Sequence, residues 1–137
     1  MILEIPGEPV GKGRPRVVRN GAFSRTYTPE KTASYENLVK LEYTARYGQT
    51  MFPDEARLSM TIRANYGIPK SASARKRKAM IDGEIRPTKK PDCDNVGKII
   101  ADALNGLCYH DDAQIVEMRI EKWYSDRPRV IVEVNEV

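Results

Sequence analysis

Apolar positions along the chain follow two different spacings, and each spacing predicts one kind of element. From Asp92 to Gly106 the apolar residues recur every three or four positions, which is the period of an amphipathic helix. Between Leu58 and Ala64 they alternate with polar residues, which is typical of a half-buried strand. The helical stripe comprises Val96, Ile99, Ile100, Ala103, Leu104 and Leu107. The chain therefore combines helices and strands.

Strand signals also occur near both ends of the chain. Ile2, Leu3 and Ile5 indicate a first strand that a Pro-Gly pair ends. Asn20-Gly21 lies between two strand-like runs and favours a tight hairpin, because both residues tolerate positive φ. Apolar and β-branched residues predict two further strands at 115–124 and 130–134.

Capping signals predict two further helices. Thr28 is typical of an N-cap and Pro29 of the first helical position, so a helix is expected to begin there. Ser71 or Ser73 is expected to cap a short basic helix. The elements together predict one mixed α+β domain over residues 1–137, a mixed β-sheet with helices on one or both faces.

Composition narrows the class of protein. The chain has 137 residues, of which 40% are hydrophobic, and this excludes a disordered tail. No apolar run approaches the roughly 18 residues of a membrane helix, so no membrane partner is expected. The first residues lack the pattern of a secretion signal, and two cysteines make no disulfide framework. We therefore expect a cytoplasmic protein.

Charge is distributed unevenly along the chain. The formal net charge is +4, but residues 11–31 carry +5, residues 70–90 carry +6 and the remainder carries −7. Two cationic segments on an acidic body indicate a polyanionic partner, most often nucleic acid, although a solvated charged surface is the alternative. The candidate DNA contacts are Lys12, Arg14, Arg16, Arg19, Arg25, Arg75, Lys76, Arg77, Lys89 and Lys90.

An aromatic residue lies within the first of these segments. Phe23 is placed near the tip of the predicted hairpin, between Arg19 and Arg25. In that position it would stack on bases or wedge between them at a DNA crossover. The alternative is a hairpin aromatic that covers the sheet.

Candidate catalytic chemistry directly follows the second segment. Asp92 and Asp94 stand two residues apart before the helical stripe, and in an extended entry both side chains point the same way. Paired carboxylates are ligands for Mg²⁺, or Mn²⁺ in its place, which keeps waters and leaves room for phosphate. Lys98 follows one turn after Asp94 and is suited to stabilising charge on a scissile phosphate. The alternatives are a helix cap for Asp92 and an ordinary ion pair between Asp94 and Lys98.

A second acidic pair, Asp111-Asp112, lies in the turn before the strand at residue 115. Because a helix N-terminus repels cations, a metal site at Asp92 and Asp94 needs at least one more carboxylate. We expect Asp111 or Asp112 to supply it if the connection brings the chain back to the start of the helix. The alternative is that both are turn residues.

Three separated motifs in this region resemble one known family. The three motifs are Pro91-Asp92-Cys93-Asp94-Asn95-Val96-Gly97-Lys98, then Ala103-Leu104-Asn105-Gly106, then Asp111-Asp112-Ala113-Gln114-Ile115-Val116. The sequence here resembles the signature of the RusA family of Holliday-junction resolvases. The match covers roughly 30 residues in register, and the basic arm Gly11-Lys12-Gly13-Arg14-Pro15-Arg16 also resembles family members.

The resemblance implies a RusA-like fold and a homodimeric, Mg²⁺-dependent endodeoxyribonuclease that acts in DNA recombination and repair. It would bind four-way DNA junctions and resolve them by symmetric paired nicks. Asp92, Asp94 and Asp112 would be the metal-binding catalytic carboxylates, Lys98 the catalytic lysine, and Asp111 an acid of lesser role. All three catalytic carboxylates are expected to meet around a shared divalent cation.

Three rival interpretations use the same residues. A non-catalytic nucleic-acid-binding module would use the basic segments but gives no reason for the acids to gather. A zinc site built from Cys93, Cys108 and His110 lacks a familiar ligand spacing. An aspartyl-phosphate phosphotransferase also uses paired aspartates, but normally after an apolar strand rather than after Lys89-Lys90-Pro91.

Overall fold

A computed structural model describes residues 1–13, 16–21, 23–27 and 29–137, with the backbone alone at 16–18, 20 and 23–27. Regular elements follow in the order that the sequence predicts. They are β1 (Ile2–Pro6), β2 (Arg16–Asn20), β3 (Phe23–Tyr27), α1 (Glu30–Tyr47), β4 (Leu58–Gly67), α2 (Ala74–Ile81), α3 (Cys93–Leu104), a short 3-10 turn (Asp112–Gln114), β5 (Ile115–Ser125) and β6 (Arg129–Glu136).

Four strands form one sheet in the order β1-β6-β4-β5, and β2 pairs with β3 in a separate hairpin. The neighbours β1 and β6, and β6 and β4, are antiparallel, whereas β4 and β5 are parallel. The sheet is therefore mixed, and the predicted α+β class is confirmed. β5 lies at the edge of the sheet.

One face of the sheet carries the core. Alternate residues of β4, such as Met60 and Ile62, are buried, and the opposite residues of β6 and β1 are buried with them. Helices α1 and α3 pack on this face and against each other. The other face presents the intervening residues, among them Arg63 of β4 and Trp123 of β5.

Helix α3 shows the apolar stripe that the sequence predicts. Val96, Ile99 and Ile100 are buried, and so are the later stripe residues of the helix. Gly97 allows the helix to approach β5 closely: a Cβ at this position would lie 2.6 Å from Ile120 Cδ1 and 3.2 Å from Met118 Sδ. The helix is therefore held by its apolar stripe and by close packing of Gly97 against side chains of the edge strand.

Two predicted boundaries differ by one residue. Pro29, expected at the first helical position, is the N-cap residue of α1 and makes no side-chain capping bond, whereas the expected cap Thr28 lies outside the described residues. In the hairpin, Asn20 pairs with Phe23, so the turn comes one residue later than the Asn20-Gly21 dipeptide indicated. Gly21 has φ 63°, the left-handed region that glycine tolerates.

Residues 83–91, here called the edge segment, cross the edge of β5 and join α2 to α3. Arg86 Nε donates to the carbonyl of Lys122 at 2.9 Å, and Lys122 Nζ donates to the carbonyl of Lys89 at 2.5 Å. The segment ends where the Tyr66 hydroxyl donates to the Pro91 carbonyl at 2.6 Å. It therefore covers the second half of β5 and leads directly into α3.

Within the described ranges, no helix combines the length and the apolarity that crossing a bilayer requires.

Candidate active site at the start of helix α3

Three candidate catalytic side chains are exposed in the first two turns of α3. Asp92 is the N-cap residue, and its Oδ1 accepts the Asn95 N–H at 3.3 Å, a long bond for a cap. Asp94 lies in the first turn and Lys98 one turn further on. The cap alternative for Asp92 is thus realised, but this bond leaves a second carboxylate oxygen free.

None of these three side chains forms an ion pair with any residue whose side chain the structure describes. The ion pair between Asp94 and Lys98, which the spacing allows, is therefore not made. Two carboxylates and one ammonium remain available to a ligand at the helix start.

Both basic segments converge on this helix start. The second segment ends at Lys89 and Lys90, immediately before Pro91 and Asp92, and the Lys90–Pro91 peptide bond is cis. The first segment begins at residues 11–13, which cross the same helix. The proximity of cationic segments to the acids is therefore a feature of the fold and not of the sequence order alone.

Residues 11–13 are fixed to α3 and to α1 by backbone contacts. Lys12 N donates to the Asn95 carbonyl at 3.0 Å, and Gly13 N donates to Thr32 Oγ1 at 2.9 Å. A Cβ at Gly11 would lie 2.8 Å from Pro91 Cβ, so only glycine permits this approach. Residues 11–13, which precede the β2–β3 hairpin in the chain, therefore lie beside the start of α3.

An open cleft of about 820 Å³ lies between residues 9–13, the start of α1 and the start of α3. Lys12, Lys31 and Lys90 line it together with Asp92. Lys31 and Lys90 form no ion pair with the described side chains, so the cleft is suited to an anionic ligand that also meets the acid.

Lys12, which the sequence predicts as a DNA contact, forms two ion pairs within the protein. Its Nζ lies 2.5 Å from Glu36 Oε1 and 3.1 Å from Asp102 Oδ2, and its side chain is 20% exposed. Burial lowers the pKa of Lys12, but its hydrogen bonds to these two carboxylates outweigh burial and the pKa is raised. Its charge is offset within the protein, which favours a bracing role between α1 and α3.

One cation beside the site was missed in the sequence. Lys122 of β5 lies on the helix side of the sheet, opposite Ala64, with its Nζ 5.2 Å from the ring centre of Tyr66. Tyr66 is close enough to Asp92 for that carboxylate to contribute to the raised pKa of the phenol, although burial is the main cause. Strand alternation places Lys122 on this side, but the sequence gives no sign that β5 returns to the start of α3.

The second acidic pair is built into a hydrogen-bonded turn. Asp111 caps the 3-10 turn: its Oδ1 accepts the Ala113 N–H at 3.1 Å. Gln114 Oε1 accepts from the backbone N–H groups of His110 and Asp111, and Gln114 Nε2 donates to the carbonyls of Pro53 and Ala56. Asp111 and Gln114 therefore stabilise the turn. For Asp111 this agrees with the alternative that it is a turn residue.

Asp112 is the acid of this pair that no such network fixes. Partial burial raises its pKa, and so do its hydrogen bond with Asp111 and the negative charges of Asp111 and Asp102. The pKa of Asp111 shifts in the opposite direction: the hydrogen bond from the Ala113 N–H holds it below the usual range. An acid surrounded by other acids is stabilised by a bound cation.

Asp112 lies at the far end of α3 from the other two acids. Its carboxylate is close enough to Asp102 for the Asp102 charge to raise its pKa. Asp102 and Asp94 both lie in α3, and a rise of 1.5 Å per residue separates them by about 12 Å along the helix axis. Across the described residues, no three Asp, Glu, His or Cys side chains are grouped closely enough to hold a metal ion. A single chain therefore does not bring together the three carboxylates expected to meet.

A tight turn explains this separation. Asn105 and Tyr109 form an isolated bridge, and Gly106 N donates to the Tyr109 carbonyl at 2.9 Å. The chain consequently reverses at once after α3, and Asp112 is still beside the helix end when β5 begins. It is β5, at Ile120 and Lys122, that returns to the start of the helix.

The zinc alternative finds no support in the described part of the chain. Cys93 is exposed at the first position of α3, whereas Cys108 is buried beyond its last turn. Burial raises the pKa of the Cys108 thiol to about 11, so it stays protonated at neutral pH. Among the described residues, no group of three His, Cys, Asp or Glu side chains that could hold a metal ion forms around Cys108 and His110.

The remaining candidate DNA contacts are partly described. Arg14 lies outside the described residues, and so do the side chains of Arg16, Arg25 and Phe23, so those predictions stay predictions. Arg19, Arg75, Lys76, Lys89 and Lys90 are exposed, and Arg77 is half-buried on α2.

Comparison with known proteins agrees with the motifs. The family model described as endodeoxyribonuclease RusA matches residues 6–135, nearly the whole chain. A Bacillus subtilis (strain 168) protein, described as "Uncharacterized protein YqaN", is 40% identical over 134 residues, which covers 96% of this chain and 92% of the relative. The resemblance inferred from three motifs is thus confirmed over the full domain, and the chain belongs to the RusA family of endodeoxyribonucleases.

Proposed function

We propose that this chain is a Mg²⁺-dependent endonuclease that binds four-way DNA junctions and resolves them by symmetric paired nicks in recombination and repair. Family membership supports cleavage of DNA. The observation that carries the site is the convergence of both basic segments on the exposed acids of α3. Phosphates attracted to the cations would be delivered to Asp92 and Asp94, where acids alone would repel them.

A divalent ion fits the residues at the start of α3. Members of this family generally depend on a divalent metal, and Mg²⁺ binds through one or two carboxylates while its remaining positions take water and phosphate. Asp92 and Asp94 are exposed, lie two residues apart and form no ion pair with the described side chains, so the Asp94 carboxylate and the second oxygen of Asp92 are free for this purpose. When bound, the ion would polarise the scissile phosphate and promote attack by water.

The protein's own residues would position the substrate around that ion. Lys98 would hold a phosphate oxygen and stabilise its charge during cleavage, because its ammonium has no competing carboxylate partner among the described residues. Lys31 and Lys90 would hold flanking phosphates in the cleft. Asp111 and Gln114 would keep the turn around Asp112 in place.

A second copy of the chain would supply the third acid. β5 is an edge strand, and its first half carries exposed apolar side chains, Val116 at 57% and Met118 at 45% exposure. Such an edge favours pairing with another strand. If two copies pair antiparallel about residue 117, position 112 of one lies level with position 122 of the other, and Lys122 borders the start of α3.

This pairing is two-fold symmetric and would create two equivalent sites. Each site would combine Asp92 and Asp94 of one copy with Asp112 of the other. A four-way junction must be cut on two strands, so two sites related by a two-fold axis suit the proposed substrate.

One experiment tests the proposed function directly. The purified protein is incubated with a synthetic four-way junction or with a linear duplex of the same sequence, in Mg²⁺ or in EDTA. We expect paired nicks in the junction with Mg²⁺ and intact DNA in the other three mixtures. Equal cutting of the duplex would contradict junction selectivity.

The same experiment separates the main rival. A non-catalytic module would retard the junction in a gel and leave it uncut in Mg²⁺ and in Mn²⁺. Retention of tight junction binding without any nick, at protein concentrations well above the dissociation constant, would replace the nuclease proposal with that module.

A further inference from the structure

Two arginine side chains lie over the same tryptophan ring on the sheet face opposite α1 and α3. The guanidinium carbon of Arg86 is 3.7 Å from the ring centre of Trp123, and that of Arg63 is 4.6 Å away. Arg63 comes from β4, Trp123 from β5 and Arg86 from the edge segment. Three elements therefore build one arginine–tryptophan cluster, defined by these three residues.

The cluster is rigidly held. Trp123 Nε1 donates to Glu121 Oε2 at 2.9 Å, and Gly83 packs so closely that a Cβ there would lie 2.7 Å from Trp123 Cζ3. Arg86 Nε donates to the Lys122 carbonyl at 2.9 Å. Each guanidinium is thus oriented by a ring face, and the terminal nitrogens of Arg86 are left free by this bond.

The two arginines differ from the other arginines of the same sheet region. Arg119, Arg127 and Arg129 each form an ion pair with a glutamate. Arg63 and Arg86 form none with the side chains that the structure describes. Both are exposed, so their guanidinium groups are accessible to a partner outside the chain.

Two carboxylates lie close to the cluster and set its net charge. The Trp123 hydrogen bond holds the pKa of Glu121 below its usual range, with smaller effects from Arg119 and Arg63. Beside Arg63 a shallow cleft of about 380 Å³ also contains Asn65, Arg129 and Asp126. Because Glu121 is already matched by Arg119, the cluster keeps a surplus of positive charge.

The edge segment connects the cluster to the candidate active site. Beyond Arg86 it carries Lys89 and Lys90 in succession, and it passes Lys122 before it reaches Asp92. The cations therefore form a continuous path around the edge of β5, from one face of the sheet to the start of α3. Phosphates of a DNA strand that leaves the site would meet them in the same order.

We propose that Arg63, Arg86 and Trp123 form a second DNA-contact site, which binds backbone phosphates of a junction arm away from the scissile phosphate. Planar guanidinium groups bind phosphate through two parallel N–H groups, and stacking on the ring reduces the freedom that binding must remove. This inference rests on the proposed function, because it assigns a further surface to the same substrate.

The single tryptophan of the chain gives a direct readout of this site. Emission of Trp123 is followed while a four-way junction is added in EDTA, so that no cleavage occurs. We expect a saturable change in emission with the same midpoint as binding measured by fluorescence anisotropy of labelled DNA. Saturated binding with unchanged Trp123 emission would count against the site.

Substitution tests the phosphate contacts. The double variant Arg63→Gln, Arg86→Gln should bind the junction about tenfold more weakly, and its slope of log affinity against log salt should be smaller by about 1.8. At saturating protein its single-turnover cleavage rate should equal that of the wild type. Arg46→Gln is the matched control, since Arg46 also lies over a ring, that of Tyr47, at 5.7 Å on α1, and it should change neither quantity.

The outcomes separate this inference from the proposed function. Wild-type affinity and salt slope in the double variant, together with normal cleavage, would overturn the second site and leave the nuclease intact. Absence of junction binding in the wild type would overturn both. Should the double variant unfold in a circular dichroism melt, the single variant Arg63→Gln, at an exposed strand position, gives the same test with a slope change of about 0.9.

Discussion

The two ends of helix α3 carry acids of the same family motif, yet their surroundings differ. At the start, Asp92 and Asp94 are exposed, and one long capping bond is the contact they make with the described backbone. At the far end, Asp111 and Gln114 take part in five hydrogen bonds of the turn and the neighbouring loop. Only Asp112 is left over from that network, close to two other acids.

This difference indicates two kinds of role within one motif. Side chains at the helix start contribute little to folding, so their chemistry is available for a ligand. Side chains at the far end build a turn that positions Asp112, an acid whose pKa is raised by burial and by the neighbouring acids. Substitutions of Asp94 and Lys98 should therefore change catalysis alone, and substitutions at the far end should change both stability and catalysis.

The largest expected effect is loss of cleavage at the helix start. Asp94→Asn should reduce the single-turnover rate by roughly three orders of magnitude, because a divalent ion contributes several kcal/mol to transition-state stabilisation. Junction affinity in EDTA should be unchanged or higher, since a charge that repels phosphate is removed. Asp82→Asn at the C-cap of α2, where Asp82 pairs with Lys78, is a control that should cleave normally. Loss of binding with cleavage would indicate a structural role for Asp94.

Lys98 should show a smaller catalytic effect without a stability effect. Lys98→Ala should lower the cleavage rate by about 10- to 100-fold, the scale of one lost transition-state donor. Its urea midpoint should stay at the wild-type value, because Lys98 is exposed and makes no ion pair with the described residues. Lys78→Ala removes a lysine that is also exposed and should leave the rate unchanged. Normal turnover in Lys98→Ala would reduce Lys98 to surface charge.

At the far end, Gln114 should matter for stability. Gln114→Ala removes two acceptor and two donor contacts of one side chain, so the free energy of unfolding should fall by about 1–3 kcal/mol. Urea denaturation measures it, and Asn135→Ala serves as an amide control whose single bond to Glu133 is exposed. An unchanged urea midpoint in Gln114→Ala would remove the distinction between the two ends.

Asp112 should show the smallest stability effect and with the opposite sign. Its raised pKa means that the folded protein disfavours the charged carboxylate, so Asp112→Asn should raise the Tm at pH 7 by about 1–3 °C without divalent metal. The gain should vanish near pH 3, where Asp112 is protonated in the folded and the unfolded chain alike. Differential scanning calorimetry at both pH values checks the sign. A lower Tm at pH 7 would show that Asp112 supports the fold.

Most elements of the fold could be predicted because each has a local signal. The stripe of α3, the alternation of β4 and the serine cap of α2 depend on neighbouring residues alone. The sequence predicts the start of α1 one residue too early. The helix begins at Glu30, and Pro29 occupies the N-cap position although it makes no side-chain capping bond. The order of the elements along the chain and the α+β fold class followed from these local signals.

The geometry of the site could be predicted only in part. The candidate acids and Lys98 follow from the motif, but the reversal at Asn105 and Tyr109 depends on long-range packing and places Asp112 at the far end of α3. The arginine–tryptophan cluster has no sequence signal either, because its members come from three elements that only the sheet brings together.

The most direct test of the account asks whether Asp94 and Asp112 act across two copies of the chain. Asp94→Asn and Asp112→Asn chains, each inactive alone, are mixed, exchanged and added to a labelled four-way junction with Mg²⁺. If each site combines acids of two copies, the mixed dimer contains one intact site, and we predict that nicking of a single strand returns. If the acids act within one chain, both sites of the mixed dimer are damaged, and a mixture that stays inactive while subunit exchange is demonstrated would contradict the account.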